Sequence, residues 1–384
     1  MTDRRWLWVV FVIVSVGVTM GCSGRAEKPL AAAPRSRYDC LIIRNLTGKD
    51  DVARTRGFPE CFSPEQMKGE TGGERPAANL EAPLLYTTVR VAVYGMEAER
   101  ADAAARGALE RIAELTAKLN IFDAKSEVSR INREAFRGAA PIDSDVDELL
   151  WAAFEVSRLS GGAFDVTVGP LTSLWRKYRA EGKLPPADEV KRARELVGWE
   201  KVTVTGTTVS ERSRSWPGGA VSVRFAREGM SIDLGGIAKG FAAEEAAKVL
   251  RRNGARSAIV ACSGDIRVIG SRPGGKPFRI GIHDPRADAH SPERFMFFLS
   301  EAAVSTSGNY QQFTMINGRR YSHIIDPKTG QSIEALPSVT VVGPDGTMCD
   351  ALATAISVLG EEEGMKLIEA VNASKDSGTA NERE

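Results

Sequence analysis

Alternating apolar and polar positions run through "LLYTTVRVAVYG", residues 84–95, and predict a strand there. Behind it, Ala, Leu, Ile and charged residues recur at helical spacing over 97–119. A second helix is expected over 144–160, stopping at Ser160-Gly161-Gly162, and a third over 185–198 from "PPADEVKRA". Further strands are expected at 201–210, 220–225, 229–234, 257–261, 278–283, 295–304 and 338–342. Helices are expected at 237–252 and 350–372. Strands and helices mix without a repeat, and the strands must pair across long separations. The expected class is α+β, with mixed β-sheets and flanking helices. No internal boundary divides 84–373, and 374–384 reads as a disordered tail.

Composition adds limits. The 384 residues are 42% hydrophobic, enough for one large domain or two modest ones with real cores. Net charge is +1, from 51 basic and 50 acidic residues, which argues against a nucleic-acid binder driven by bulk charge. Arg4 and Arg5 precede an apolar run from Trp6 to Met20, then Gly21 and Cys22. That run is shorter than the roughly 20 residues a membrane span needs and has the shape of an export signal. The cysteine after the cleavage point resembles a bacterial lipoprotein signal, although Thr19 and Met20 depart from it. Residues 1–22 therefore read as a signal/lipoprotein segment, in which cleavage before Cys22 leaves that cysteine lipidated as the mature N-terminus and the chain anchored to a membrane on the periplasmic or outer side; an ordinary signal or an uncleaved anchor is the alternative. Residues 23–83, rich in Pro, Gly and charge, read as a tether. Cys40 and Cys61 lie close enough in sequence to staple it in an oxidising compartment. With no CxxC and no Cys/His cluster, a zinc site is not expected.

Five stretches carry candidate chemistry. In "SIDLGGIAKGFAAEEAAKVLRRNG", 231–254, a strand ends at Asp233-Leu234, Gly235-Gly236 follow, and a helix opens near Ile237. Paired glycines permit close backbone approach, and a helix start offers amide groups to an anion, with Lys239 adding a cation. A solvated lysine on a plain strand-turn-helix is the alternative. In "CDALATAISVLG", Asp350 and Thr354 share a helix face, an oxygen pair suited to Mg²⁺. The alternative is that Asp350 caps the helix. "LSGGAFDVTVGPLTSLW", 159–175, places glycines before Phe164-Asp165, then an expected strand, then Gly169-Pro170. "VSTSGNYQQF", 304–313, reads as a loop of small hydroxyl residues. Finally "YSHIIDPKTG", 321–330, sets one of only three histidines, His323, at the mouth of a tight turn. His283 and His290 receive no role.

Taken in order with "SEVSRIN" at 126–132, these stretches resemble the ApbE family of FAD:protein FMN transferases over about 84–372. The resemblance implies an ApbE-like fold and an enzyme that moves the FMN half of FAD onto a threonine hydroxyl of a target protein, with Mg²⁺, releasing AMP. It implies that Asp350, Thr354 and the Gly236 carbonyl hold the metal. It further implies that Phe122, Ala163, Phe164, Asp165, Asp233, Lys239 and Ile324 line the FAD site. His323 is then the base that takes the threonine proton, with Asp350 as its rival. Implied partners are FAD and flavin-accepting subunits of membrane redox complexes. Two alternatives stay open: an FAD pyrophosphatase giving FMN and AMP, and a non-catalytic FAD-binding lipoprotein. The chain departs from the family at Leu85-Tyr86-Thr87, where Met-Gly-Thr is usual, at Ser263, where a glycine is usual, and at Asn309 and Glu244, where Asp is common. The segment 211–219 looks like an insertion.

Overall fold

A computed structural model describes residues 75–206, 221–282, 295–308, 313–333, 336 and 338–378, together with three short strands upstream. Cys22, Cys40, Cys61, His283, His290, Asn309 and the segment 211–219 lie outside the described residues. The upstream strands are β1 (Val9–Ile13), β2 (Ile42–Ile43) and β3 (Val52–Ala53). The main sheet then gains β4 (Ala78–Leu84), β5 (Thr87–Val93), β9 (Ala258–Cys262), β10 (Asp265–Ile269), β13 (Ala302–Gly308) and β16 (Ser338–Gly343), in the order β3-β2-β1-β16-β13-β10-β9-β5-β4. From β16 to β4 every neighbouring pair is antiparallel. β1, drawn from the run expected to be an export signal, pairs with β16.

Helices cover one face of this sheet. They are α1 (Ala98–Leu119), α3 (Ser144–Leu159), α6 (Ala238–Arg252), α7 (Gly346–Leu359) and α8 (Glu361–Gly378). Their apolar stripes join Val89, Val91, Val93, Val260, Val339 and Val341 in one core. The opposite face is closed by a ribbon of β11 (Phe278–Ile282) and β12 (Phe295–Leu299), which packs Phe278 and Phe297 against Val268, Val304 and Val342. Because β16 is covered on both faces, all of its residues are buried, and its sequence reads as an apolar run instead of an alternation. A three-stranded sheet of β6 (Ala140–Pro141), β7 (Val202–Thr205) and β8 (Ser222–Phe225) stands apart. Among the described residues no helix is long and apolar enough to cross a membrane.

Several expectations need correction. The strand expected over 84–95 is the second half of a hairpin whose first half, β4, falls inside the expected tether. β4 is an edge strand with alternating polar positions, and such strands carry a weak apolar signal. The expected strand at 229–234 is reduced to a single bridge between Val168 and Ser231. Instead of a neighbouring strand, the Asn132 side chain pairs with the Ile232 backbone in both directions, at 2.8 and 3.0 Å. Asn132 ends the "SEVSRIN" motif on α2 (Glu127–Glu134), so that motif is structural glue for the turn before α6.

Residues 164–168 do not form the expected strand either. The Asp165 carboxylate accepts the Thr167 N–H and hydroxyl at 2.8 and 2.7 Å and folds the segment back on itself. A helix that was not expected, α4 (Gly169–Ala180), then starts at Gly169-Pro170, because proline suits a first helical turn. The expected loop at 304–308 is the end of β13, while the expected strand at 295–304 is split by a turn at Glu301. The expected helix over 350–372 breaks at Gly360 into α7 and α8.

A close backbone approach positions the site. A Cβ built on Gly240 would lie 2.1 Å from the Gly346 carbonyl oxygen and 2.7 Å from the Asp350 Cβ. Helices α6 and α7 therefore touch backbone to backbone. Gly240→Ala should push them apart at a cost of about 1–3 kcal/mol. Gly138→Ala, where a Cβ meets nothing within 4 Å, should stay within about 0.5 kcal/mol of the parent. Urea unfolding of the pair measures both, and equal midpoints would contradict the tight crossing.

Candidate active site

The helix crossing brings two acids and a lysine together. Asp345 caps α7 by accepting the Met348 N–H at 3.0 Å, so the capping role considered for Asp350 is already filled. Asp350 sits one turn further on, 3% exposed, and its Oδ2 accepts the Gly240 N–H at 2.9 Å. Lys239 donates to Asp265 Oδ2 and lies 3.7 Å from Asp350 Oδ1, while the Ser305 hydroxyl donates to the other Asp265 oxygen. Burial, and then the neighbouring Asp265 charge, push the Asp350 carboxyl up to about 7 against the pull of Lys239 and the Gly240 amide. Burial alone would favour a neutral Lys239, but the two carboxylates outweigh it and hold the ammonium charged.

The start of α6 is occupied from within. The N–H groups of Ile237 and Ala238 donate to the Leu234 carbonyl, and that of Gly240 to Asp350. The anion expected at this helix N-terminus is thus met, at Gly240, by the protein's own carboxylate. One turn before Gly240, the Gly236 carbonyl faces the Thr354 hydroxyl at 3.4 Å, and Thr354 lies one turn after Asp350. Phe164 packs beside them, within 3.3 Å of where a Gly236 Cβ would stand. Gly236, Asp350 and Thr354 therefore present a carbonyl, a carboxylate and a hydroxyl at one crossing, and an all-oxygen set suits a hard cation such as Mg²⁺. Among the described residues no group of three or more His, Cys, Asp or Glu could hold a metal, so any ion here depends on the mixed set.

Asp233 begins the turn into α6 and anchors a second group of residues. Its Oδ1 accepts the Gly235 N–H at 3.0 Å, its Oδ2 accepts the Thr172 hydroxyl at 2.9 Å, and Arg176 approaches to 3.7 Å. The Arg176 guanidinium also lies 4.6 Å from the ring centre of Phe122, which is exposed. Ala163 and Phe164 are buried at the foot of this group. Asp165 turns inward, accepting from Thr167 and, at 2.9 Å, from the Trp199 N–H, so both of its oxygens are used in holding the loop.

The 321–330 turn arrives from a different part of the fold. It follows a hairpin of β14 (Phe313–Ile316) and β15 (Arg319–Ser322). Asp326 accepts the Lys328 N–H and the Thr329 hydroxyl, each at 2.8 Å, and closes the turn. Gly330 takes φ +72, and its carbonyl accepts the Trp175 indole N–H at 2.8 Å. Trp175 and Leu171 of α4, Val190 of α5 (Ala187–Glu195) and Ile325 form a small core that fixes the turn. Ile324 is buried, and its N–H donates to the Ser322 hydroxyl at 3.1 Å. The Ser322 carbonyl accepts from Arg179 and from the Ser332 hydroxyl. The His323 side chain is exposed on a backbone pinned from both sides. Lys328 reaches back to Gly161 and Gly162, joining the turn to the loop that carries Phe164.

Lys239, Asp350, Thr354, Gly236 and Phe164 are thus brought together. Asp233 and Phe122 form a linked group, and His323 and Ile324 stand on the docked turn. Sequence reasoning gave no site role to Asp265, Ser305, Thr172 and Arg176. The "SGDI" turn between β9 and β10 was the one available signal for Asp265. Cys262 and Cys349 are free, buried thiols, and burial pushes Cys262 up to about 12.

Comparison with known proteins fits this geometry. The family model described as the ApbE family matches residues 85–375. A Vibrio cholerae protein named FAD:protein FMN transferase is 30% identical over 306 residues, 78% of this chain and 87% of the relative. One of the same name from Haemophilus influenzae is 31% identical over 265 residues, 67% and 73% of the two chains. The solved ApbE protein of Thermotoga maritima superposes with a TM-score of 0.65 at 32% identity, covering 76% of this chain and 89% of that one. The solved flavin transferase ApbE of Vibrio cholerae gives 0.64 at 28% identity, with 76% and 90% covered. The α+β architecture, the crossing of α6 and α7 and these matches lead to one conclusion: the chain belongs to the ApbE family.

Proposed function

We propose that this protein transfers FMN from FAD to a threonine hydroxyl of a target protein, with Mg²⁺, and releases AMP. The observation that carries this reading is the meeting of Asp350, Thr354 and the Gly236 carbonyl at the helix crossing, beside Lys239 and within one connected group that reaches the exposed Phe122 ring. The relatives named FAD:protein FMN transferase supply the substrate class. When bound to those three oxygens, Mg²⁺ supplies charge neutralisation for the pyrophosphate.

The chain's own residues do the rest. Lys239 stays protonated against Asp265 and adds positive charge beside the metal position. Asp233, held by Thr172 and Arg176, fixes the turn whose backbone carries Gly236. His323 takes the proton of the incoming threonine at one imidazole nitrogen as the threonine oxygen bonds to the FMN phosphorus. The bond from that phosphorus to the bridging oxygen breaks, and the oxygen leaves on AMP. A neutral imidazole is a competent base at pH 7.

Export and lipidation at Cys22 would place the enzyme at a membrane surface, where flavin-accepting subunits of redox complexes are accessible. The exposure of His323 favours a second reading, in which water replaces threonine and FAD is split to FMN and AMP.

Product analysis separates the two. The chain lacking residues 1–21 is incubated with FAD and Mg²⁺, with and without an acceptor domain carrying a threonine motif. Transfer predicts AMP matched by FMN bound covalently to the acceptor, whereas free FMN whatever the acceptor supports hydrolysis. His323→Ala should slow AMP release by about 10²- to 10⁴-fold with FAD affinity retained, and an unchanged rate would remove His323 as the base. Thr354→Val should raise the Mg²⁺ concentration needed for half-maximal rate by about tenfold and leave the melting temperature nearly unchanged. Identical Mg²⁺ titration curves would take Thr354 out of the metal site.

A further inference from the structure

The β4–β5 hairpin turns on Leu85 and Tyr86, at φ +51 and +57. A two-residue turn with both residues left-handed normally takes Asn and Gly, and a tyrosine there is strained. Leu85 packs on the core, but Tyr86 projects outward, 71% exposed. Folding gains little from an exposed ring in a strained turn, yet this ring is firmly held. Its hydroxyl donates to Asn120 Oδ1 at 2.7 Å, and the same oxygen accepts the Phe122 N–H at 2.8 Å. The Tyr86 and Phe122 rings meet at 84°, with centres 5.6 Å apart. Phe122 is 59% exposed and carries the Arg176 guanidinium, which continues to Asp233.

Two rings at a right angle make a corner. A planar ring lying flat against one of them meets the other edge-on, and both are favourable aromatic arrangements. We infer that Tyr86, together with Phe122, clamps the isoalloxazine ring of FAD and makes Tyr86 a specificity-determining residue of this chain. The inference rests on FAD being the substrate. Three features select the flavin over the adenine. The corner is continuous with Asp233 through Arg176. An electron-rich phenol suits the electron-poor tricyclic ring. The guanidinium can donate to the ring's carbonyl edge. By the resemblance, the Tyr86 position usually carries glycine, so the Tyr86 side of the clamp belongs to this chain and not to the fold, whereas Phe122 is the side that the resemblance already implies.

The test is equilibrium binding of FAD, read by flavin fluorescence, and of ADP, read by calorimetry. Parent, Tyr86→Gly and Tyr86→Phe are compared with EDTA, and again with Mg²⁺ in a His323→Ala background that suppresses turnover. Tyr86→Gly should weaken FAD about tenfold, leave ADP unchanged, and melt no lower than the parent because glycine relaxes the turn. Tyr86→Phe keeps the ring and should bind FAD within about threefold of the parent. Parent-like FAD binding by Tyr86→Gly, or equal losses of FAD and ADP, would overturn the clamp while leaving FAD as the substrate. A parent protein that binds no FAD under either condition would overturn both.

Discussion

Everything at the site depends on the contact between α6 and α7. Two helices that meet through Gly240 and Gly346 come closer than side chains allow, and the gap is bridged by reciprocal bonds. The Gly240 N–H donates to Asp350, and the Gly346 N–H donates to Glu244 at 2.7 Å. Each helix thus supplies the carboxylate that satisfies the other's first turn. Both acids are buried, and each has a cation: Lys239 beside Asp350, and Arg267 2.7 Å from Glu244. Such charges are tolerated in a core only when paired and hydrogen-bonded. The crossing therefore fixes the separation of Asp350, Thr354 and the Gly236 carbonyl more firmly than a loop could.

The second half of the site comes from elsewhere. His323 and Ile324 ride on a turn seated on α4 and α5 by a small core of its own, and Lys328 ties that turn to the Phe164 loop. The candidate site is therefore built from two separately packed units. Their junction runs through Gly161, Gly162 and Phe164, which explains why that glycine-rich stretch belongs with the others despite carrying little reactive chemistry itself.

Much of this is legible in the sequence because helical periodicity and short dense motifs mark it. The helices α1, α3, α5 and α6 fall close to their expected bounds, and Asp350 and Thr354 share a face as their spacing demands. Illegible features are those in which side chains replace backbone pairing. Asn132 substitutes for a strand beside Ile232, a bond spanning 100 residues that no local pattern signals. Asp165 looks like a ligand next to an aromatic, but its oxygens are used on Thr167 and Trp199. Asp265 and Ser305 meet only because β10 pairs with β13, so their link to Lys239 follows from topology and not from proximity in the chain.

The helix crossing also has a consequence in time. Both bridging amides end on buried carboxylates, so neither can exchange its proton with water unless α6 and α7 separate. Separation would open the core that the same helices share with the sheet. The Asp350 half of the candidate site therefore has no low-energy fluctuation of its own: it lasts as long as the domain does.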